Sequence, residues 1–353
     1  MAKNKQPQCV LITRFSALGD VALTVPVIDD VCRAYPDTRF VMATRAWMAG
    51  IMVNPPANLT VVPVNLNTDY HGFLGILKLA RHLRRDYDID AMADLHSVLR
   101  TWLIGISMRL HGITVKRIDK GRREKRALVS GKSRQQLTLT HQRYRKVLDT
   151  LGFPTKPQFT SVFGNETPPC RIVPEKQPDQ QWIALSPFSQ HKGKIYPFDK
   201  MREVLDLLAA RPHTHIFLMG GGNKEKNALA PWEQAYENVT SVAGIEHTFA
   251  DELALLVHCD VMVSMDSANM HLASLVNLPV VSVWGATHPW CGFMGYGQDE
   301  SHTVQLDMDC RPCSVFGERS CRHGDYRCLT GITPQMIVEK IEQALQTGSS
   351  QST

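Results

Sequence analysis

The chain has 353 residues, with 39 Lys and Arg against 34 Asp and Glu, a formal charge of +5. At 43% hydrophobic and 21% charged it is a globular protein long enough for two full cores, which excludes a disordered, collagen-like or disulfide-stapled chain. Residues 1–165 carry 25 basic and 12 acidic side chains (+13) and residues 166–353 carry 14 and 22 (−8), so the first half is suited to an anionic partner.

The start, MAKNKQPQ, leads into a short apolar run, CVLI, too short for a signal-peptide core. No apolar stretch approaches the roughly 18 residues that span a bilayer. A cytoplasmic protein is expected, with its nine cysteines reduced. Strand-like runs then alternate with helical patterns, the grammar of parallel sheets built from βαβ units. Cys9 to Thr13 reads as a buried strand, followed by a helix from Val21 to Ala34. Strands Arg39 to Thr44, Val61 to Val64, Ile89 to Asp94 and Ile113 to Ile118 follow. Helical stretches lie at Trp47 to Val53, Phe73 to Arg85, Leu99 to Leu110 and Leu139 to Leu151. Asn165 to Gln181 holds four prolines and no periodicity, and reads as an interdomain linker.

The same grammar restarts beyond it. Trp182 to Ser186, His215 to Met219, Val239 to Val242, Val261 to Ser264 and Val280 to Trp284 read as strands. Met201 to Ala210, Leu253 to Val257 and His271 to Val276 read as helices. A last helix runs from Pro334, at the first helical position as proline prefers, to Leu345. The reading is an α/β protein with an N-terminal domain over 1–165, a linker over 166–181, a C-terminal domain over 182–346 and a disordered tail over 347–353. Doubly wound domains bind ligands at the carboxyl ends of their strands.

Five motifs fall at such ends. Arg14-Phe15-Ser16-Ala17-Leu18-Gly19-Asp20 follows the first strand, where Asp20 is either a helix cap or a functional carboxylate. Ser186 to Lys194 offers hydroxyls, among them Ser189, and two lysines, suited to a phosphate or to a solvated loop. Gly220-Gly221-Gly222 allows close backbone approach, and Glu225 beyond it could accept from a ribose; a plain tight turn explains the glycines equally well. Asp266-Ser267 before a helix could cap it while its N–H groups face a pyrophosphate, with His271 one turn in. A lone helical histidine is more often structural. Gly285-Ala286-Thr287-His288-Pro289 closes the set.

These motifs occur in the order seen in glycosyltransferase family 9, which the chain resembles from about Val10 to Leu345. These are the ADP-heptose:lipopolysaccharide heptosyltransferases of Gram-negative bacteria. The resemblance rests on Arg14 to Asp20, on Lys194 before Tyr196-Pro197, on Asp266-Ser267 with His271, and on Gly285-x-Thr287-x-Pro289. It implies a GT-B fold, two doubly wound Rossmann-like domains facing a central cleft, the first binding acceptor and the second nucleotide-sugar. It also implies inversion at the anomeric centre, with no cofactor or catalytic metal. Asp20 would be the general base and Lys194 would neutralise the departing diphosphate. Ser189, Gly221, Glu225, Asp266, Ser267, His271 and Thr287 would bind the ADP-sugar donor. Ala268 stands where the family usually has glycine.

The segment from Lys116 to Arg134 has nine Lys or Arg in nineteen residues. It reads either as a solvated charged loop or as a surface for a phosphorylated glycolipid acceptor at the inner face of the inner membrane, through Arg122 and Arg123. No aromatic residue is interleaved and no nucleic-acid fold motif is present, which argues against nucleic acid. Arg14, Asp94, His96 and Arg100 are further acceptor-side candidates. Cys310-x2-Cys313-x7-Cys321-x6-Cys328 could form a structural zinc site or simply pack a loop as reduced thiols. Two other functions use the same fold: transfer of a different nucleotide-sugar to another envelope glycan, or non-catalytic nucleotide binding.

Overall fold

The structure, a computed structural model, describes residues 6–350. It divides into two compact units, residues 1–120 with 138–162, and residues 121–137 with 163–353. The first opens with β1 (Cys9–Thr13), α1 (Leu18–Ala22), α2 (Val25–Ala34), β2 (Arg39–Arg45) and the single turn α3 (Ala46–Ala49). It continues through β3 (Leu59–Val64), α4 (Gly72–Tyr87), β4 (Ala91–Asp94), α5 (Leu99–Leu110) and β5 (Thr114–Arg117). All five strands are parallel, in the order β3-β2-β1-β4-β5. β1 and β4 are buried along their whole length, as central parallel strands require.

The single helix expected over Val21 to Ala34 is two. Pro26 lacks the N–H that would reach the Ala22 carbonyl, so α1 ends and α2 restarts with the proline in its first turn.

A larger correction concerns residues 121–137, expected in the first domain but grouped with the second. Their charges hid a helix, α6 (Arg122–Val129). Leu128 on this helix is buried with Leu137 and Cys291, and the Lys125 ammonium lies 4.0 Å from the centre of the Phe293 ring. The split between units is therefore milder than that between halves. The first carries 19 basic and 11 acidic residues (+8), the second 20 and 23 (−3). Helix α7 (Thr140–Asp149) returns the chain to the first unit.

The expected linker is without helix or strand until Gln181, but it is tethered. The Lys176 ammonium donates to both oxygens of Asp260, at 2.8 and 2.7 Å, and to the His258 carbonyl. The second unit then runs β6 (Gln181–Ser186), α8 (Phe198–Ala209), β7 (Thr214–Leu218), α9 (Gly222–Glu233) and β8 (Val239–Ser241). After these come α10 (Phe249–His258), β9 (Val261–Met265), α11 (Ala268–Ser274), β10 (Val280–Val283) and β11 (Thr303–Val304). The short α12 (Arg327–Thr330) precedes α13 (Pro334–Ser350). Its six strands are parallel, in the order β11-β10-β9-β6-β7-β8. α9, whose glycine-rich start and internal Pro231 masked it, and the two-residue β11 were not foreseen. α13 continues past Leu345 to Ser350, and residues 351–353 of the expected tail lie outside the described residues. No helix among the described residues is long and apolar enough to cross a membrane.

The loops after β6 and β10 touch backbone to backbone. The Ala286 amide donates to the Gly193 carbonyl at 2.8 Å. A Cβ on Gly285 would lie 2.6 Å from that carbonyl oxygen and 2.5 Å from Leu329 Cγ. Gly285→Ala should therefore lower stability by about 1–3 kcal/mol. Thermal denaturation checks this, and an unchanged melting temperature would contradict the close approach.

Candidate active site

In the second unit, β6, β9 and β10 lie side by side and their carboxyl ends meet at one side chain. Asp266, the residue after β9, is buried, and its Oδ2 accepts from Thr287 Oγ1 at 2.8 Å. The same oxygen lies 2.9 Å from Lys194 Nζ. A carboxylate taken out of water needs such partners, and here a cation and a hydroxyl arrive from the two flanking loops. The Lys194 side chain keeps 15% exposure, so its ammonium remains accessible to a ligand. Its stem runs past Gly317, where φ is +80° and a Cβ would come within 2.7 Å of Lys194 Cγ.

Hydroxyl and amide groups surround this pair. Ser189 Oγ donates to the Asp266 carbonyl at 3.1 Å, and Asn269 Nδ2 donates to Ser186 Oγ at 2.6 Å. Ser267 is the N-cap residue of α11, and its Oγ is 3.1 Å from Ser264 Oγ. His271 is buried on the same helix. Lys194, Ser189, Asp266, Ser267 and Thr287 are thus brought together. Glu225 is not among them: its Oε2 accepts from the Gly221 amide at 2.8 Å, closing the first turn of α9.

In the first unit, the loop after β1 is organised by a buried cation. Arg14 donates through Nη1 to the Leu95 carbonyl at 2.8 Å, pairs through Nη2 with Asp20, and lies 5.8 Å from the centre of the Tyr144 ring. Arg14 was expected to meet the acceptor, but its burial makes it the residue that holds Asp20. Asp20 is not the N-cap of α1. That position is Ala17, whose amide donates to Asp20 Oδ2 from three residues upstream. The Asp20 side chain is 23% exposed.

Asp94, a further acceptor candidate, is fully buried. Its Oδ1 accepts the amides of His96 and Ser97, at 3.1 and 2.8 Å, while Oδ2 takes Arg117 Nε at 3.3 Å. It shapes the loop after β4 rather than reaching a ligand. His96 Nδ1 accepts from the Phe15 amide at 3.4 Å, which leaves the proton on Nε2, 3.2 Å from Ser16 Oγ. Burial, followed by the cations of Arg14 and Lys120, pushes this imidazole down to about 3. Arg100 is exposed in the first turn of α5, and Arg122 and Arg123 are exposed in the first turn of α6.

Cys310, Cys313, Cys321 and Cys328 line one small cavity together with Arg311, Arg322 and Arg327. Among the described residues no group of three or more His, Cys, Asp or Glu is arranged to hold a metal ion, so the zinc expectation does not fit this cluster.

No local pattern marks Arg311 as functional. It is buried and donates to the carbonyls of Gly285 and Thr287 and to Gln305 Oε1, the last two at 2.9 and 3.0 Å. One guanidinium thereby fastens the Thr287 loop to the cysteine-bearing segment. Tyr144 was missed too. It lay in a helical pattern, yet its hydroxyl donates to the Asp20 carbonyl at 3.3 Å.

The model of glycosyltransferase family 9 (heptosyltransferase) matches residues 76–322, well over half of the chain. The chain belongs to this family. It is a glycosyltransferase with two Rossmann-like domains of the GT-B type. Among curated relatives, lipopolysaccharide heptosyltransferase 1 of Pseudomonas aeruginosa is 23% identical, covering 95% of this chain and 98% of that protein. Among solved structures, the E. coli heptosyltransferase WaaC with ADP has a TM-score of 0.67 at 18% identity, covering 95% of this chain and 99% of that one. A family 9 glycosyltransferase from Veillonella parvula has a TM-score of 0.71 at 17% identity, covering 96% and 98%.

For this family 9 enzyme, the state of His96 has a measurable consequence. Its folded value of about 3 lies below the ordinary 6.5, so the unfolded chain takes up this proton first as pH falls. Its share of stability is complete above about 6.5 and is lost on descent toward 3. The His96 ring signals in an NMR titration should not move between pH 8 and about 5. A midpoint near 6.5 would contradict the buried, accepting Nδ1.

Proposed function

We propose that the protein transfers heptose from ADP-heptose to a hydroxyl of the lipopolysaccharide inner core, with inversion and with charge supplied by its own side chains. The observation that carries this reading is Lys194, fixed by a buried carboxylate yet partly accessible in the loop after β6. The names of relatives in this family support the donor and acceptor classes.

In this reading Asp20 accepts the proton of the acceptor hydroxyl while that oxygen forms a bond to the anomeric carbon. The bond from that carbon to the diphosphate oxygen breaks on the opposite face, and its electron pair leaves with ADP. Lys194 Nζ spends one donor on Asp266, and its remaining N–H bonds neutralise the growing negative charge on the β-phosphate. Ser189 and Thr287 spend their hydroxyl protons on the carbonyl and the carboxylate of Asp266, so in this reading they fix the loops that frame the diphosphate, and Ser267 stands at the N-terminus of α11 that faces it. The acceptor is a phosphorylated glycolipid, which assigns the enzyme to the cytoplasmic face of the inner membrane.

Asp20→Asn keeps the shape of the loop but removes the base. Turnover of ADP-heptose on a defined inner-core acceptor should fall by about 10²–10⁴-fold, while ADP affinity by calorimetry stays within about twofold. Retained turnover in this variant would overturn the assignment of Asp20.

A further inference from the structure

The heptosyl-transfer reading does not use the outer face of α5. Leu99, Trp102, Ile106 and Leu110 are spaced by three, four and four residues, which places them on a single stripe. All four are exposed, Leu99 at 78% and Leu110 at 79%. The opposite face of the helix carries Thr101, Ile104, Gly105 and Met108 and is buried. The helix is thus apolar on two opposed sides, only one of which the fold covers. α4 packs beside it and adds two more exposed apolar residues, Phe73 and Leu74, in its first turn.

Placement and charge say what covers this face. α4 and α5 each connect parallel strands, so both run back against the strand direction and begin at the carboxyl edge of the sheet. The Arg14–Asp20 loop leaves β1 at that same edge. The surrounding sequence is predominantly basic. From Tyr70 to Tyr87 and from Leu95 to Ile118 there are eight Lys and Arg against one acidic residue, Asp86, which pairs with Arg85. Trp102 has the amphipathic character of an interfacial residue. Its indole N–H donates to Ser97 Oγ at 3.3 Å, and the Arg117 guanidinium lies 4.4 Å from its ring centre.

We infer that the exposed α4–α5 face of the first unit docks on an anionic lipid bilayer, its apolar stripe entering the headgroup boundary and its arginines and lysines meeting lipid phosphates. This rests on the reading of the acceptor as a glycolipid, and it brings the Asp20 loop to the surface from which that glycolipid projects. The apolar stripe gives depth and the basic flanks give selectivity for negative charge.

The test is co-sedimentation of the full chain with vesicles. One set contains equal parts phosphatidylglycerol and phosphatidylethanolamine, the other phosphatidylcholine alone. The wild-type protein should bind the anionic vesicles, and the binding should weaken as salt rises from about 0.1 to 1 M, where the Debye length shrinks from about 10 to 3 Å. The triple variant Leu99→Gln, Ile106→Gln, Leu110→Gln should lose about tenfold or more of that binding. Its melting temperature and its turnover of a delipidated, water-soluble acceptor should be unchanged. Equal vesicle binding by variant and wild type would overturn the inference. So would a wild-type dimer that dissociates in the variant, which would make the stripe a self-association surface. Vesicle binding is read without turnover, so failure of the transferase reading would show separately, as an inactive wild-type enzyme that still sediments with anionic vesicles.

Discussion

The site proposed for the donor depends on the electrostatics of one buried carboxylate. Asp266 lies at the end of a central strand with almost no contact with water. An ionised carboxylate in that position is tolerable only with a cation and hydrogen-bond donors in place. The fold meets this demand by bringing Lys194 from the loop after β6 and Thr287 from the loop after β10. Those loops can approach because glycine occupies positions 193 and 285, where any Cβ would collide. Gly317 leaves room for the lysine stem, and Arg311 ties the Thr287 backbone in place.

The first unit uses the same device with the charges exchanged. There the buried partner is the cation, Arg14, and the more exposed one is the carboxylate of Asp20. In each unit a buried charge holds a more exposed opposite charge in one orientation, in a loop that follows a strand. The exposed member is the one suited to chemistry: a base in one unit, an ammonium in the other. Such pairs contribute little net stability, because desolvation offsets most of the attraction. Their value lies in positioning a group that must not wander before substrate arrives.

Much of this was legible in the sequence because it follows from periodicity and punctuation. The buried strands around Leu11, Ala184, Val263 and Val281 and the loops after them declare a doubly wound architecture, and the residues that converge on Asp266 all lie in the loops of the second unit among these. Charge made other parts illegible. In α6 five of eight residues are Arg, Lys or Glu, so the burial of Leu128 could not be foreseen, nor could its membership of the second unit. Asp94 and Arg14 looked like ligands because they are polar residues at strand ends. Only three-dimensional contacts show that the protein itself consumes their hydrogen bonds. Arg311 sits in a cysteine-rich stretch without periodicity, and nothing local marks an arginine that bonds backbone carbonyls more than twenty residues away.

In the proposed transfer Asp266 holds Lys194 for the diphosphate of the donor. Calorimetric titration of ADP and of adenosine into the wild-type protein and Lys194→Met separates this role from a general loss of binding, because adenosine lacks the group that Lys194 is assigned to meet. Loss of about tenfold or more in ADP affinity, with adenosine affinity unchanged, is the result this account predicts. Equal losses for both ligands, or no loss for ADP, would contradict it.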